Sequence, residues 1–406
     1  MRILHTSDWH LGQHFMGKTR QAEHQAFCVW LIEQVRVHEV DALLIAGDIF
    51  DTGAPPSYAR EQYNRFIVEL RSTGCELVVL GGNHDSVAML GESKTLLAQL
   101  DTRVIPGVCE ELSEQLLVLK KRDGTPGALL CGIPFIRPRD VLQSQAGQSA
   151  QDKQLSLQQA IQEHYQALYA LALDRRAELG GELPIIASGH LTTVGASASE
   201  SVREIYVGSL EAFPTSAFPP AAYIALGHIH RPQKVGGLEH IRYCGSPIPL
   251  SFDEARQQKE VLLVELDCSG LHDVTALPVP RFQPLLSLRG SLKELQQAIA
   301  EAAQQGRDEL PVWLEVQVST DDYLSDLQLR IAALCEGLPV EVLRIRRERG
   351  NAVAALQGQA KETLDELSAE EVFAQRLSSE TLDAAQQAPL LALYRQVVGE
   401  LREGEA

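Results

Sequence analysis

The sequence predicts an α/β protein: a large strand–helix domain over residues 1–277, a small α/β capping unit over 281–346 and a helical segment over 351–406. Three observations carry this reading. Short apolar runs alternate with amphipathic stretches through the first part of the chain. The alternation breaks at Pro278-Val279-Pro280. Beyond it a shorter strand–helix series follows, and then an apolar stripe at helical spacing.

In the first part the runs are Arg2–Thr6, Asp41–Ala46, Glu76–Leu80, Ala128–Ile133, Pro184–Ala187 and Tyr223–Leu226. Each has the length of a strand. Leu157, Ile161, Tyr165, Leu168 and Ala172 recur at helical spacing and predict a buried helix face. The polar stretch Gln143–Gln154 ahead of them predicts a surface loop. The prolines at 278 and 280 predict a linker. After it come strand Leu285–Leu288, helix Leu292–Ala303, strand Val312–Val318, helix Tyr323–Leu334 and strand Val340–Ile345. Ser368-Ala369-Glu370-Glu371 predicts a capping box. Pro389 opens a last helix, with Leu390, Leu393 or Tyr394, Val397 and Leu401 on one stripe.

Composition narrows the function. With 406 residues and 45% hydrophobic content, the chain can bury two or three cores. A net charge of −18 argues against a broad nucleic-acid-binding surface, so any phosphate contact is local or carried by metal ions. No apolar run approaches the ~18–20 residues that span a bilayer. The first residues lack a secretory pattern. Seven cysteines without a Cys-x-x-Cys pair predict reduced thiols and a cytoplasmic protein.

The strongest signal is positional. Asp8-Trp9-His10, Gly47-Asp48, Gly82-Asn83-His84-Asp85, Gly189-His190 and Gly227-His228-Ile229-His230 each follow an apolar run. Ligands of open α/β sheets bind outside the carboxyl ends of the strands, so the five segments are predicted to converge there. Carboxylate, imidazole and amide oxygen suit a divalent ion of intermediate hardness, such as manganese, iron or zinc. Asp8, His10, Asp48, Asn83, His190, His228 and His230 are too many ligands for one ion and fit two that share a bridge, with Asp48 as the bridging carboxylate. Such a pair suits phosphodiester hydrolysis. His84, surplus to the ligand set, is the predicted general acid, and Asp51 or Asp85 is predicted to orient it.

These segments together resemble the calcineurin-like metallophosphoesterase family, whose fold is a two-sheet α/β sandwich holding two metals, commonly manganese. Within the family the resemblance runs along essentially the whole chain to DNA nuclease subunits. It is carried also by Asp51-Thr52-Gly53, Ile133-Pro134-Phe135, His190-Leu191-Thr192-Thr193 and Tyr243-Cys244-Gly245-Ser246-Pro247. The resemblance implies one metal on Asp8, His10, Asp48 and His230, and a second on Asp48, Asn83, His190 and His228. It implies that His84 is the catalytic histidine. Relatives often carry a histidine where this chain has Asp51, which leaves the role of Asp51 open between orienting His84 and another task.

The resemblance further implies the capping domain and docking of the C-terminal helices on a coiled-coil ATPase partner. It implies a homodimer within a two-plus-two assembly, and we place the dimer contact on the predicted helices Ser57–Leu70 and Ser86–Leu100. The chain has no phosphate loop of its own, so ATP is handled by that partner. Local basic clusters are Lys18 with Arg20, Lys120-Lys121-Arg122, Arg137-Pro138-Arg139 and Arg344-Ile345-Arg346-Arg347. Lys121, Arg137 and Arg139 are the predicted DNA contacts. Two other readings compete with the nuclease: another two-metal phosphoesterase, or a non-catalytic DNA tether.

Overall fold

The computed structural model describes residues 1–142, 150–202, 212–319 and 326–347, together with Leu390 and Leu393. Two six-stranded sheets face each other. In the first, Arg2–Thr6, Ala42–Ala46, Glu76–Leu80 and Thr102–Ile105 run parallel. Glu260–Asp267 lies antiparallel beside Arg2–Thr6, with Gly270–Pro278 at the edge. In the second, Pro126–Cys131, Ile185–His190, Tyr223–Gly227 and Leu238–Tyr243 run parallel. Leu116–Lys120 and Gln233–Val235 close its two edges antiparallel.

Alternation along each strand divides the apolar residues between two cores. Ala42, Leu44, Val78 and Leu80 face the second sheet and meet Leu130, Ile186 and Ala225. Their neighbours Leu43, Ile45, Leu77 and Val79 face outward, onto the helices Gln21–Val37 and Ser57–Arg71. On the far side, Leu129, Ala187, Ile224 and Leu226 pack against Leu157, Ile161, Tyr165, Leu168 and Ala172 of the helix Ala150–Glu178. The result is four layers, helix–sheet–sheet–helix. Strands covered on both faces read as unbroken apolar runs, which is why the sequence shows them so plainly.

Three local differences from the sequence-based expectation have physical causes. The helix begins at Ala150, inside the stretch read as loop, because Ala150 to Gln154 contains no helix breaker; residues 143–149 lie outside the described residues. The 278–280 segment is not a free linker. Glu260 pairs with Pro278, the main-chain N–H of Val279 donates to the Lys259 oxygen at 2.8 Å, and Val279 is buried in the first core. The stretch Ser86–Leu100 is not one helix but the short turns Val87–Gly91, Lys94–Leu97 and Ala98–Leu100.

Residues 285–347 form a parallel three-stranded sheet, in the order Leu285–Gly290, Val312–Val318 and Val340–Arg347. Helix Leu292–Ala303 packs on it behind a Ser291–Glu294 capping box. The second helix spans Leu327–Cys335, with 320–325 outside the described residues. This unit seats Trp313 against Phe15, near-parallel at 6.0 Å, within a cluster completed by Phe252, Ala255 and Leu285. The predicted capping box at 368–371 lies outside the described residues; Leu390 and Leu393 are helical and exposed. Among the described residues, no helix is long and apolar enough to cross a membrane.

The carboxyl ends of the parallel strands of both sheets point to one edge of the sandwich, where the sheets approach closely. A methyl group on Gly227 would lie 2.0 Å from the main-chain oxygen of Ala46 in the opposite sheet. Gly227→Ala is therefore expected to destabilise the fold by at least about 1–3 kcal/mol. An unchanged urea-unfolding midpoint would contradict this packing.

Candidate metal centre

The first sheet delivers Asp8, His10, Asp48, Asn83 and His84 to this edge, just past the ends of three strands. The second delivers His190 as the last residue of its strand, and His228 and His230 just past Gly227. Asp8, His10, Asp48 and His228 all adopt positive φ, between 49° and 91°. Such backbone is costly for residues with a side chain and persists where the surroundings enforce it. Here Asp8 N–H donates to the Gly47 oxygen at 3.0 Å, and His10 N–H to the Asp48 oxygen at 3.1 Å. The Asp8 carboxylate accepts from the His228 N–H at 2.9 Å, which locks the two sheets' loops together.

Two triads result. Asp8, His10 and His230 each present a ligand atom within 4.8 Å of the others, as do Asp48, His190 and His228. All six residues are buried. Asp48 joins the triads: its Oδ2 lies 3.2 Å from His190 Nε2 and 3.6 Å from His10 Nε2. Asn83 Oδ1 completes the second group, 2.9 Å from His190 Nε2 and 3.1 Å from His228 Nδ1. The seven predicted ligand residues are thus brought together.

The hydrogen bonds set imidazole tautomers that suit a cation. His190 donates from Nδ1 to the Ala46 oxygen at 2.9 Å, and His10 from Nδ1 to the Asp51 carboxylate at 3.1 Å. His230 Nδ1 lies 2.5 Å from the Ser201 hydroxyl. Each therefore turns Nε2 toward the acidic centre. Nε2 of His10, 3.6 Å from Asp48 Oδ2, is buried with no hydrogen-bond partner, an arrangement that costs about 1–3 kcal/mol. A divalent ion on that lone pair would remove the cost, and His228 turns Nδ1 to the Asn83 oxygen, so the donor set fits a metal pair.

The electrostatics agree. Burial pushes the Asp48 carboxyl up, but the imidazoles of His190, His10 and His84 outweigh it and hold it well below the usual carboxylate range. Burial pulls His190 down, and Asp48 and Asp8 overcome it and raise that imidazole. His228 is held well below its ordinary value by burial and by His190. The pocket thus favours positive charge beside Asp48 without having enough protons to supply it at every imidazole.

His84 is placed differently. It is half-buried, and its ring lies edge-on to His10 at 4.6 Å. Its N–H donates to Asp48 Oδ1 at 2.9 Å, and its Nδ1 donates to the main-chain oxygen of Asp51 at 2.7 Å. So Asp51 meets His84 through its backbone, while its carboxylate holds His10. The Asp85 carboxylate accepts from the N–H groups of Gly82, Phe50 and Ile49 at 2.8, 3.0 and 3.2 Å, clamping the two loops rather than gripping the imidazole. A methyl on Gly82 would lie 2.1 Å from Asp48 Oδ1, which explains the glycine before Asn83.

The basic clusters fare less uniformly. Arg137 lies beside the site: it donates to the Asp85 oxygen at 3.0 Å and stacks on Phe135 at 5.4 Å. Arg139 is 80% exposed on the same turn. Lys121 is not brought to the site. It follows a strand antiparallel to Pro126–Cys131, so its hairpin lies at the opposite end of the sheet, where a methyl on Gly127 would meet both Met1 and Lys121. Arg20 is buried against Glu23 at 2.6 Å and Pro249, and Arg344 and Arg346 pair with Glu315 at 2.5 and 3.2 Å. Sequence reasoning missed Ser201, Glu254 and Lys259, which meet behind His230 and carry no motif.

Comparison with known proteins agrees with this geometry. Residues 1–232 match the family model described as calcineurin-like phosphoesterase, and residues 281–381 match one described as the Type 5 capsule protein repressor C-terminal domain. The chain is 55% identical over 397 residues to the SbcD subunit of the nuclease SbcCD from Escherichia coli strain K12, covering 97% of each. It is 35% identical to the protein of the same name in Rhodobacter capsulatus, covering 84% of this chain and 86% of that one. The Bacillus subtilis protein of that name is 28% identical, over 80% of this chain and 81% of its own. With a metallophosphoesterase donor set, its order along the chain and these relatives in agreement, the chain belongs to the calcineurin-like phosphoesterase family, among the nuclease subunits of SbcCD type.

Proposed function

We propose that the chain is the metal-dependent DNA nuclease of an SbcCD-type complex, acting on duplex ends and hairpins beside an SbcC-type ATPase. The observation that carries this is the pair of buried triads joined by Asp48, with the half-buried His84 at their rim. Asp8, His10, Asp48 and His230 hold one divalent ion; Asp48, Asn83, His190 and His228 hold the other, manganese being the ion we assign. Such ions, when bound, polarise the phosphoryl group and supply a nucleophile at neutral pH.

The protein's own contribution is positional. Asp51 keeps the His10 ring turned inward, and Ala46 does the same for His190. His84, anchored at Nδ1 by the Asp51 oxygen, presents its other nitrogen; in the imidazolium form it gives that proton to the leaving oxygen. Arg137 and Arg139 contact backbone phosphates at the mouth. That contact is local, as an acidic chain requires, and gives sequence-independent, salt-sensitive binding. A tether would have no use for a general acid, and the spare histidine favours hydrolysis.

The names of the relatives, subunits of SbcCD, support an SbcC-type partner. The stripe Leu390, Leu393 or Tyr394, Val397 and Leu401 is our docking face for it, as an apolar helix laid in a groove. Its two described members are exposed, as such a face requires. We place a homodimer at the helix Ser57–Arg71 and the turns that follow Ser86, within a two-plus-two assembly in the cytoplasm.

His84→Gln is expected to retain two manganese ions while cleavage of an end-labelled duplex falls by about 10²–10⁴-fold. Loss of both ions on this substitution would contradict the role of His84. A chain ending before Ser368 is expected to keep manganese-dependent cleavage but to lose co-purification with the ATPase. Retained co-purification would refute the docking stripe.

A further inference from the structure

Behind His230 lies a charged cluster that the ligand set does not include. Glu254 is fully buried and Lys259 is 3% exposed. Lys259 Nζ donates to Glu254 Oε2 at 2.7 Å, to the main-chain oxygen of His230 at 2.7 Å, to Ser246 Oγ at 3.0 Å and to Gln257 Oε1 at 3.2 Å. Glu254 Oε2 also accepts the Leu250 N–H at 3.0 Å. Its other oxygen accepts the hydroxyls of Ser199, at 2.6 Å, and Ser201. The Ser201 oxygen in turn lies 2.5 Å from His230 Nδ1, with Glu254 Oε1 itself 3.5 Å from that nitrogen.

These bonds have one consistent direction. The Ser201 hydroxyl donates to Glu254, so its oxygen is left to accept from His230 Nδ1–H. That fixes the tautomer and turns His230 Nε2 toward Asp8 Oδ1, 4.0 Å away. A buried ion pair adds little net stability over an apolar packing, because desolvation of both charges offsets their attraction. What this pair does add is direction: one oxygen of Glu254 is taken by the lysine, so the other is held for the serines. The clasp is secured from outside as well. Glu200 N–H donates to the Asp253 carboxylate at 3.1 Å, and the Glu200 carboxylate faces Arg346 at 3.5 Å.

We propose that Glu254, held by Lys259 and acting through Ser201, is a positioning residue that orients the His230 imidazole for the metal beside Asp8. The proposal rests on the reading of His230 as a ligand. Its role parallels that of Asp51 toward His10, but it comes from a segment with no metallophosphoesterase motif.

The test uses full-length protein and manganese alone, with binding followed by calorimetry and by the electron paramagnetic resonance of bound ion. Ser201→Ala and Glu254→Gln are each expected to weaken one of the two ions by about 10–100-fold and leave the other unchanged. Cleavage is expected to recover at raised manganese with the KM for DNA unaltered, and Ser201→Thr is expected to restore wild-type binding. Ser201→Ala leaves the buried ion pair intact, so it decides the matter if Glu254→Gln does not fold. His230→Ala separates the two levels. If it removes one ion while Ser201→Ala binds both like wild type, the positioning proposal is overturned and the ligand reading stands. If His230→Ala itself keeps both ions at full affinity, the ligand reading fails and the proposal with it.

Discussion

The structure turns on one buried carboxylate. Asp48 stands buried in the seam between two sheets, with one oxygen fixed by the His84 N–H and the other facing His190 and His10. An unpaired anion there would be prohibitive, so the surroundings must supply positive charge. They do so with imidazoles brought from both sheets. That requirement explains the strained backbone at Asp8, His10 and Asp48, and the small residues at 82 and 227 that let the loops close on it. The sandwich is the frame that makes such convergence possible.

The same charge logic reconciles an acidic protein with a polyanionic substrate. Two of the four basic clusters have arginines engaged internally: Arg20 between Glu23 and the Phe15–Trp313 stack, Arg344 and Arg346 against Glu315. Arg137 and Arg139 remain near the mouth. On the proposed two-metal reading, the positive charge that meets a scissile phosphate would come from ions at the centre rather than from the surface. This is consistent with a protein that takes further grip on DNA from a partner.

Much of this was legible in the sequence because the parallel strands are covered on both faces and each ends in a polar motif. Asp8, His10, Asp48, Asn83, His84, His190, His228 and His230 could be picked out for that reason alone. What lay hidden has a common cause. The strand Glu260–Asp267, with its hairpin partner Gly270–Pro278, joins the first sheet beside Arg2–Thr6, more than 250 residues earlier in the chain, a pairing that no local pattern records. Val279 looked like a linker residue because its neighbours are prolines, yet pairing up to Pro278 keeps it in the core. Glu254 and Lys259 look like ordinary surface charges, and only their burial gives them a task. Lys121 lies away from the metal centre because its hairpin reverses direction, and charge alone carries no information about which end of a sheet it occupies.

The central claim is that Asp48 bridges two metal positions, one from each triad. An anomalous difference map recorded at the manganese absorption edge, from crystals grown with manganese, tests it most directly. The account predicts two peaks per chain, one among Asp8, His10 and His230 and one among Asn83, His190 and His228, with the Asp48 carboxylate reaching both. A single peak, or a pair in which Asp48 touches only one ion, would contradict it.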